Sequence, residues 1–427
     1  MADVSAPMNG IRHIICAVII LMLLPARPAE AVLVLKRGVN FEAWQRWTNK
    51  GDFQAPWYDR SNFPDWSKLV NDRQLTALRA QGFDFVRLNI DPSPFLWSME
   101  FDELVNSMLA SVRRIRAAGL KVIVDLHTIP NMDDRPEGLH YILGTGKEPS
   151  PEGFERYKSL VRTVARALVK MPSSEVGLEL VNEPNQDWDS LSVPVDIWPR
   201  QLQELYLSAR TEAPGLTLIL TGARGGGIDG LLRLDPAFSA DDPDTIWSFH
   251  YYDPFVVSHS GLPWERNALH FLQHVPFPAS RIDPGVRQRL LQAAQARIER
   301  EVPGQEERSE IADKVEKLLG EYITNGWSEA TVRTAFGRVK SWSEKHGIGP
   351  QRILLGEFGV FQDSADPEAR AALLLAVRTA AENLGFCWAV YTAGLTNGPG
   401  SFSILDGTGT MAVDSGAARA LGVGARQ

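Results

Sequence analysis

Short apolar runs and stretches of helical spacing alternate along most of the chain. Residues 32–41, 83–90, 121–127, 177–183, 216–221, 246–252, 353–357 and 386–391 read as eight strands. Between them, residues 67–80, 103–118, 154–169, 198–211, 328–346 and 367–384 carry apolar positions at helical spacing. Gly82, Gly119, Gly347 and Gly385 then act as stop signals after four of these helices. The strands are almost continuously apolar, which is the pattern of a parallel sheet covered on both faces. Eight such strands predict an α/β fold closed into a (β/α)8 TIM barrel. No glycine-rich dinucleotide fingerprint follows the first strand, which disfavours an open doubly wound sheet. Length beyond a minimal barrel falls mainly in residues 253–326, between strands six and seven. There a charged helical stretch over 286–323, broken at Pro303-Gly304, predicts a solvated helical insertion.

The N-terminus has a different pattern. Arg12 and His13 precede an apolar run of 11 residues, 14–24, and Ala29 and Ala31 supply a small-x-small motif. The run is short of the ~20 residues that span a bilayer. Residues 1–31 are therefore expected to be a signal peptide and residues 32–427 a single catalytic barrel, secreted or periplasmic, with no stable membrane span after cleavage. Retention of the signal as an anchor is the alternative. Cys16 lies in that signal, so cleavage leaves Cys387 alone and no intrachain disulfide can form. A net charge of −8, with no basic cluster interleaved with aromatics, excludes nucleic acid as a partner. The chain holds twelve tryptophans. Trp44, Trp47, Trp57 and Tyr58 fall in an expected loop, where aromatic faces serve either core packing or sugar stacking.

Chemistry concentrates at the carboxyl ends of the strands, where barrels place their functional groups. The run 177–183 ends in Asn182-Glu183 before Pro184, and 353–357 ends in Glu357. A carboxylate at the mouth of a buried strand is costly unless chemistry needs it. Two such glutamates on two strands are the pair a glycosidic-bond hydrolase requires. Asn40, Arg87, His127, Asn182, His250, Tyr252 and Tyr391 are read at equivalent depth. His127 and His250 lack a third partner at zinc-like spacing, so no metal and no cofactor are expected.

Asn182-Glu183-Pro184, Gly356-Glu357-Phe358-Gly359, His250-Tyr251-Tyr252 and Asp125-Leu126-His127 together resemble glycoside hydrolase family 5. Phe85-Val86-Arg87-Leu88 and Arg37-Gly38-Val39-Asn40 add to the likeness, which runs from Arg37 to Tyr391. The resemblance implies a retaining mechanism, with Glu183 as acid/base and Glu357 as nucleophile. It also implies that Asn182 bonds the sugar 2-hydroxyl, that Arg87 and Tyr252 hold Glu357, and that His127 and His250 line the reactive subsite. The family often carries Trp-x-x-Trp on its last strand; here Trp388 is followed by Tyr391, so a tyrosine would floor that subsite. Thr128-Ile129-Pro130-Asn131 also lacks a glycine common in some subfamilies. Both departures leave the sugar open. The expected partner is a β-linked polysaccharide or oligosaccharide, first a β-1,4-glucan. Cleavage of β-mannan, β-1,3-glucan or a glycolipid are alternatives in the same family, and a non-enzymatic polysaccharide-binding barrel is the alternative outside it.

Overall fold

The computed structural model describes residues 32–45, 66–92, 96, 101–127, 143, 151–184, 197–263, 267–394 and 401–424. The expected signal, the aromatics Trp47, Trp57, Tyr58 and Trp264, and residues 128–131 lie outside them. Eight parallel strands close into one barrel in sequence order: β1 Arg37–Gln45, β2 Phe85–Ile90, β3 Lys121–Leu126, β4 Val176–Glu179, β5 Thr217–Thr221, β6 Thr245–His250, β7 Ile353–Glu357 and β8 Cys387–Val390. β8 closes on β1 through Gly38 opposite Ala389. The longer helices are α1 Asp72–Ala80, α2 Phe101–Ala117, α3 Pro151–Leu168, α4 Ile197–Glu212, α5 Pro284–Glu301, α6 Gln305–Thr324, α7 Glu329–Lys345, α8 Pro367–Asn383 and α9 Ser415–Leu421.

Strand alternation sorts the barrel interior into layers. Phe85, Ile123, Ile219, Ile246, Leu354, Cys387 and Ala389 form an apolar plug at the N-terminal end, with Leu33 and Leu35 beneath it. One pleat repeat further along, Arg87, Asp125, Glu179, Thr221 and Ser248 are buried as well. The interior thus changes from apolar to charged within one barrel, and the charged layer supports the site above it. The other face of each strand packs on the helices in one continuous core.

Several boundaries differ from the sequence reading. β1 begins at Arg37, because residues 33–36 serve as the floor of the barrel instead of joining the sheet. Trp44 belongs to β1 and is fully buried against Phe41, with the Arg114 guanidinium 5.5 Å from its ring. It is a core residue, unavailable for sugar stacking. The helix expected over 67–80 is two helices, Trp66–Leu69 and α1, because Asn71 and Gln74 form a capping box that starts a new one. β4 ends at Glu179, four residues before Glu183. The insertion is helical as expected. α5 and α6 pack through Ala294, Ile298, Ile311, Val315, Leu319 and Tyr322, with Val302-Pro303-Gly304 between them. Among the described residues no helix is long and apolar enough to cross a membrane.

Candidate active site

Arg87 is the hub. It stands inside β2, not at its end, and is fully buried. Its Nε donates to Glu179 Oε2 at 2.6 Å. Nη1 donates to Asn40 Oδ1 at 2.8 Å and to Glu357 Oε1 at 2.6 Å. Nη2 donates to Asn182 Oδ1 at 2.7 Å and lies 3.2 Å from Asp125 Oδ2. Four N–H groups of the fork thus donate to acceptors on β1, β7 and the β4 run, and Asp125 on β3 adds an ion pair. Burial alone would lower the Arg87 pKa, but Asp125, Glu179 and Glu357 outweigh it and hold the guanidinium charged, well above its usual range.

Glu357 reaches this hub through a local irregularity. Phe249 pairs with Leu355, yet the next β6 residue, His250, pairs with Glu357, so Gly356 is an extra residue on β7. Strict alternation would turn Glu357 away from the interior; the bulge re-aims it inward. Only glycine fits at the bulge, since a Cβ there would lie 2.6 Å from Ser248 Oγ and 3.0 Å from His250 Nε2. The Gly356 carbonyl accepts from Asn40 Nδ2 at 2.9 Å. Both carboxylate oxygens of Glu357 are held: Oε1 by Arg87, Oε2 by the Tyr252 hydroxyl at 2.8 Å. Burial and the Glu357 charge push the Tyr252 phenol well above its usual range, so it remains a donor.

Glu183 arrives by a different route. Beyond β4 the chain stays extended, with Leu180 N–H on Ile219 and Asn182 N–H on the Leu126 carbonyl. The Glu183 side chain is 35% exposed, against 5% for Glu357. Its Oε1 is 2.8 Å from His250 Nδ1. Burial lowers the His250 pKa, so the imidazole is neutral at neutral pH. One carboxylate oxygen of Glu183, one of Glu357 and a nitrogen of His250 lie within 4.8 Å of one another. That is the one group among the described residues that could hold a cation. Its atoms are already engaged, however: Glu357 with Arg87 and Tyr252, His250 with Glu183.

A site of this kind, with two carboxylates facing across a gap beside a neutral imidazole, can transfer a proton and deliver a nucleophile. The family description for cellulases, glycosyl hydrolase family 5, matches residues 48–395. The chain belongs to glycoside hydrolase family 5. Among family relatives, Endoglucanase 3 of Fibrobacter succinogenes is 22% identical over 93% of this chain, which spans about half of that enzyme's own length, 54%. The cellulose synthase subunit Z of Clostridioides difficile shares the fold with a TM-score of 0.61 at 20% identity, over 91% of this chain and 99% of that one. Thermotoga maritima Cel5A, solved with cellobiose, aligns with a TM-score of 0.60 at 19% identity, over 91% of this chain and 97% of its own.

The residues singled out from the family 5 resemblance converge on this site. Asn182, Arg87, Tyr252, Glu183, Glu357 and His250 are joined by the bonds above. His127 Nδ1 lies 2.7 Å from Asp125 Oδ2, and its Nε2 lies 3.5 Å from Asn182 Nδ2. Tyr391, just past β8, packs edge-on against Phe402 at 5.9 Å, beside Tyr252. Sequence reasoning missed Glu179, which completes the Arg87 fork and accepts from Thr221 Oγ1 at 2.9 Å. The signal was present: one carboxylate inside an otherwise apolar run, Gly177-Leu178-Glu179-Leu180. Asn89, 2.6 Å from His127 Nδ1, was missed as well, because an amide within a strand carries no such signal.

Proposed function

We propose that this chain is a retaining β-glycosidase that cleaves a β-1,4-glucan internally, with Glu357 as nucleophile and Glu183 as acid/base. One observation carries the reading: the two carboxylates approach to within 4.8 Å. Retaining enzymes hold their carboxyl groups about 5–5.5 Å apart, whereas inverting ones leave roughly 6.5–9.5 Å for a water.

In the first step Glu357 attacks the anomeric carbon, the glycosidic C–O bond breaks, and the Glu183 proton passes to the leaving oxygen. In the second, Glu183 takes a proton from water, the hydroxyl adds to that carbon, and the ester to Glu357 is released. Arg87 and Tyr252 keep both Glu357 oxygens fixed before attack. A neutral His250 serves Glu183 in either state, since Nδ1 donates to the carboxylate or, in the other tautomer, accepts from the acid. Asn182, anchored by its Oδ1 on Arg87, presents its Nδ2 side to the sugar 2-hydroxyl, and Tyr391 supplies the subsite floor. The Fibrobacter endoglucanase and the cellobiose-bound Thermotoga enzyme favour a β-glucan as substrate. A complex of that same Thermotoga enzyme with mannotriose makes β-mannan the first comparison substrate.

Single-residue variants with azide rescue test the roles. Glu357→Ala is expected to be inactive on every glycan and to yield an α-azide when azide is added. Glu183→Ala is expected to retain glycosyl-enzyme formation on an activated aryl β-cellobioside and to yield the β-azide. A β-azide from Glu357→Ala would reverse the two assignments.

A further inference from the structure

The insertion lines a second, solvent-open cavity that none of Arg87, Glu183 or Glu357 borders. It measures about 600 Å³, inside the range of about 300–1,000 Å³ typical of small-molecule sites. One wall is the segment leaving β6, where Asp253 and Phe255 follow closely on Tyr252. The facing wall is α6, through Lys314, Lys317 and Glu321, and Trp327 completes the lining.

The lining is specific in its chemistry. Phe255 is 46% exposed, a large apolar ring left in contact with solvent, and it is backed by the His259 ring at 4.5 Å. Two lysines are balanced by two carboxylates, so the lining carries no net charge and favours neither an anion nor a cation. An acyl chain would bury four charges against hydrocarbon, which is costly. A neutral chain rich in hydroxyls, with apolar C–H faces, satisfies both the aromatic rings and the polar rim. Among the described residues, no hydrogen bond or ion pair engages the Asp253 carboxylate, which is half-buried and ready to accept a hydroxyl.

We propose that this cavity is a second, non-catalytic binding site for a segment of the β-linked glucan. The proposal rests on the glycosidase reading above. Because Asp253 adjoins Tyr252, one long chain can engage both the cavity and the catalytic pair, so the second contact becomes intramolecular and raises the effective affinity. A disaccharide is too short to gain from it.

The test compares neutral hydroxyethyl cellulose with an aryl β-cellobioside as substrates of the full chain. Loss of one stacking ring is expected to lower kcat/KM of Phe255→Ala on the polymer about fivefold while the short substrate stays within about twofold. Calorimetric titration of Glu357→Ala with cellohexaose should find two sites, and one site once Phe255→Ala is added. Equal effects on both substrates, or no effect on either, would overturn the proposal. If Phe255→Ala does not fold, Glu321→Trp on the exposed face of α6 fills the cavity and must give the same split between substrates. Wild-type protein inactive on every glycan would instead overturn the glycosidase reading itself.

Discussion

Arg87 donates four hydrogen bonds and ion-pairs with Asp125, and its partners have unequal duties. Asn40, Asp125 and Glu179 fix the guanidinium, and through it Glu357 is fixed. Tyr252 adds the second hold on that carboxylate at little steric cost. Tyr252→Phe removes only the hydroxyl. A hydrogen bond to a charged group contributes about 1.5–3 kcal/mol, so kcat/KM is expected to fall about ten- to a hundredfold. Steady-state kinetics with a matching urea transition checks this. An unchanged kcat/KM would mean that Arg87 alone suffices. Of the residues around this hub, those ending an apolar run were legible from sequence. Glu179 left a trace as the lone carboxylate within an apolar run, but its role, like that of Asn89, lies in which strand stands beside it.

At the scale of elements, the β7 bulge decides where the Glu357 carboxylate stands. Gly356→Ala is expected to displace Glu357 or His250, since the new methyl would meet Ser248 Oγ at 2.6 Å. Misplacement of a reacting group by about 1 Å costs on the order of a hundredfold in kcat. Activity close to wild type would show that the bulge tolerates a side chain. Strand order was readable throughout, because apolar runs recur eight times around the barrel and glycine stops close four of the helices between them. What failed was local. The 67–80 helix broke at Asn71, whose side chain offers the backbone a better partner than helix continuation does. β4 was read as reaching Glu183 because residues 180–182 continue its extended, buried path without completing the ladder. Trp44 was placed in a loop, since a strand running past Phe41 carries no pattern that separates it from one ending there.

The whole molecule couples this site to its stability through buried imidazoles. Burial pushes His259 down to about 4, and it lowers His250 as well. Both folded values lie below the unfolded one, about 6.5. As pH drops from about 6.5 to 4, the unfolded chain takes up protons that the fold refuses, so stability falls, by about 3 kcal/mol for His259 alone. Glu301 acts in a lower window. Burial would raise its carboxyl, but bonds from His270, Arg297 and Arg300 prevail and hold it at about 2, so its contribution is lost only below the ordinary carboxylate range. Urea midpoints are expected to decline from pH 7 to pH 4.5, and His259→Gln to flatten that decline; an equal slope in the variant would contradict it. The proposal made for the barrel site comes down to one chemical claim, that two facing carboxylates cleave a β-glycosidic bond by double displacement. Proton NMR of the first sugar released from an aryl β-cellobioside tests it most directly. A β-anomer that later mutarotates is the predicted result, and an α-anomer formed first would contradict the retaining mechanism and both glutamate roles.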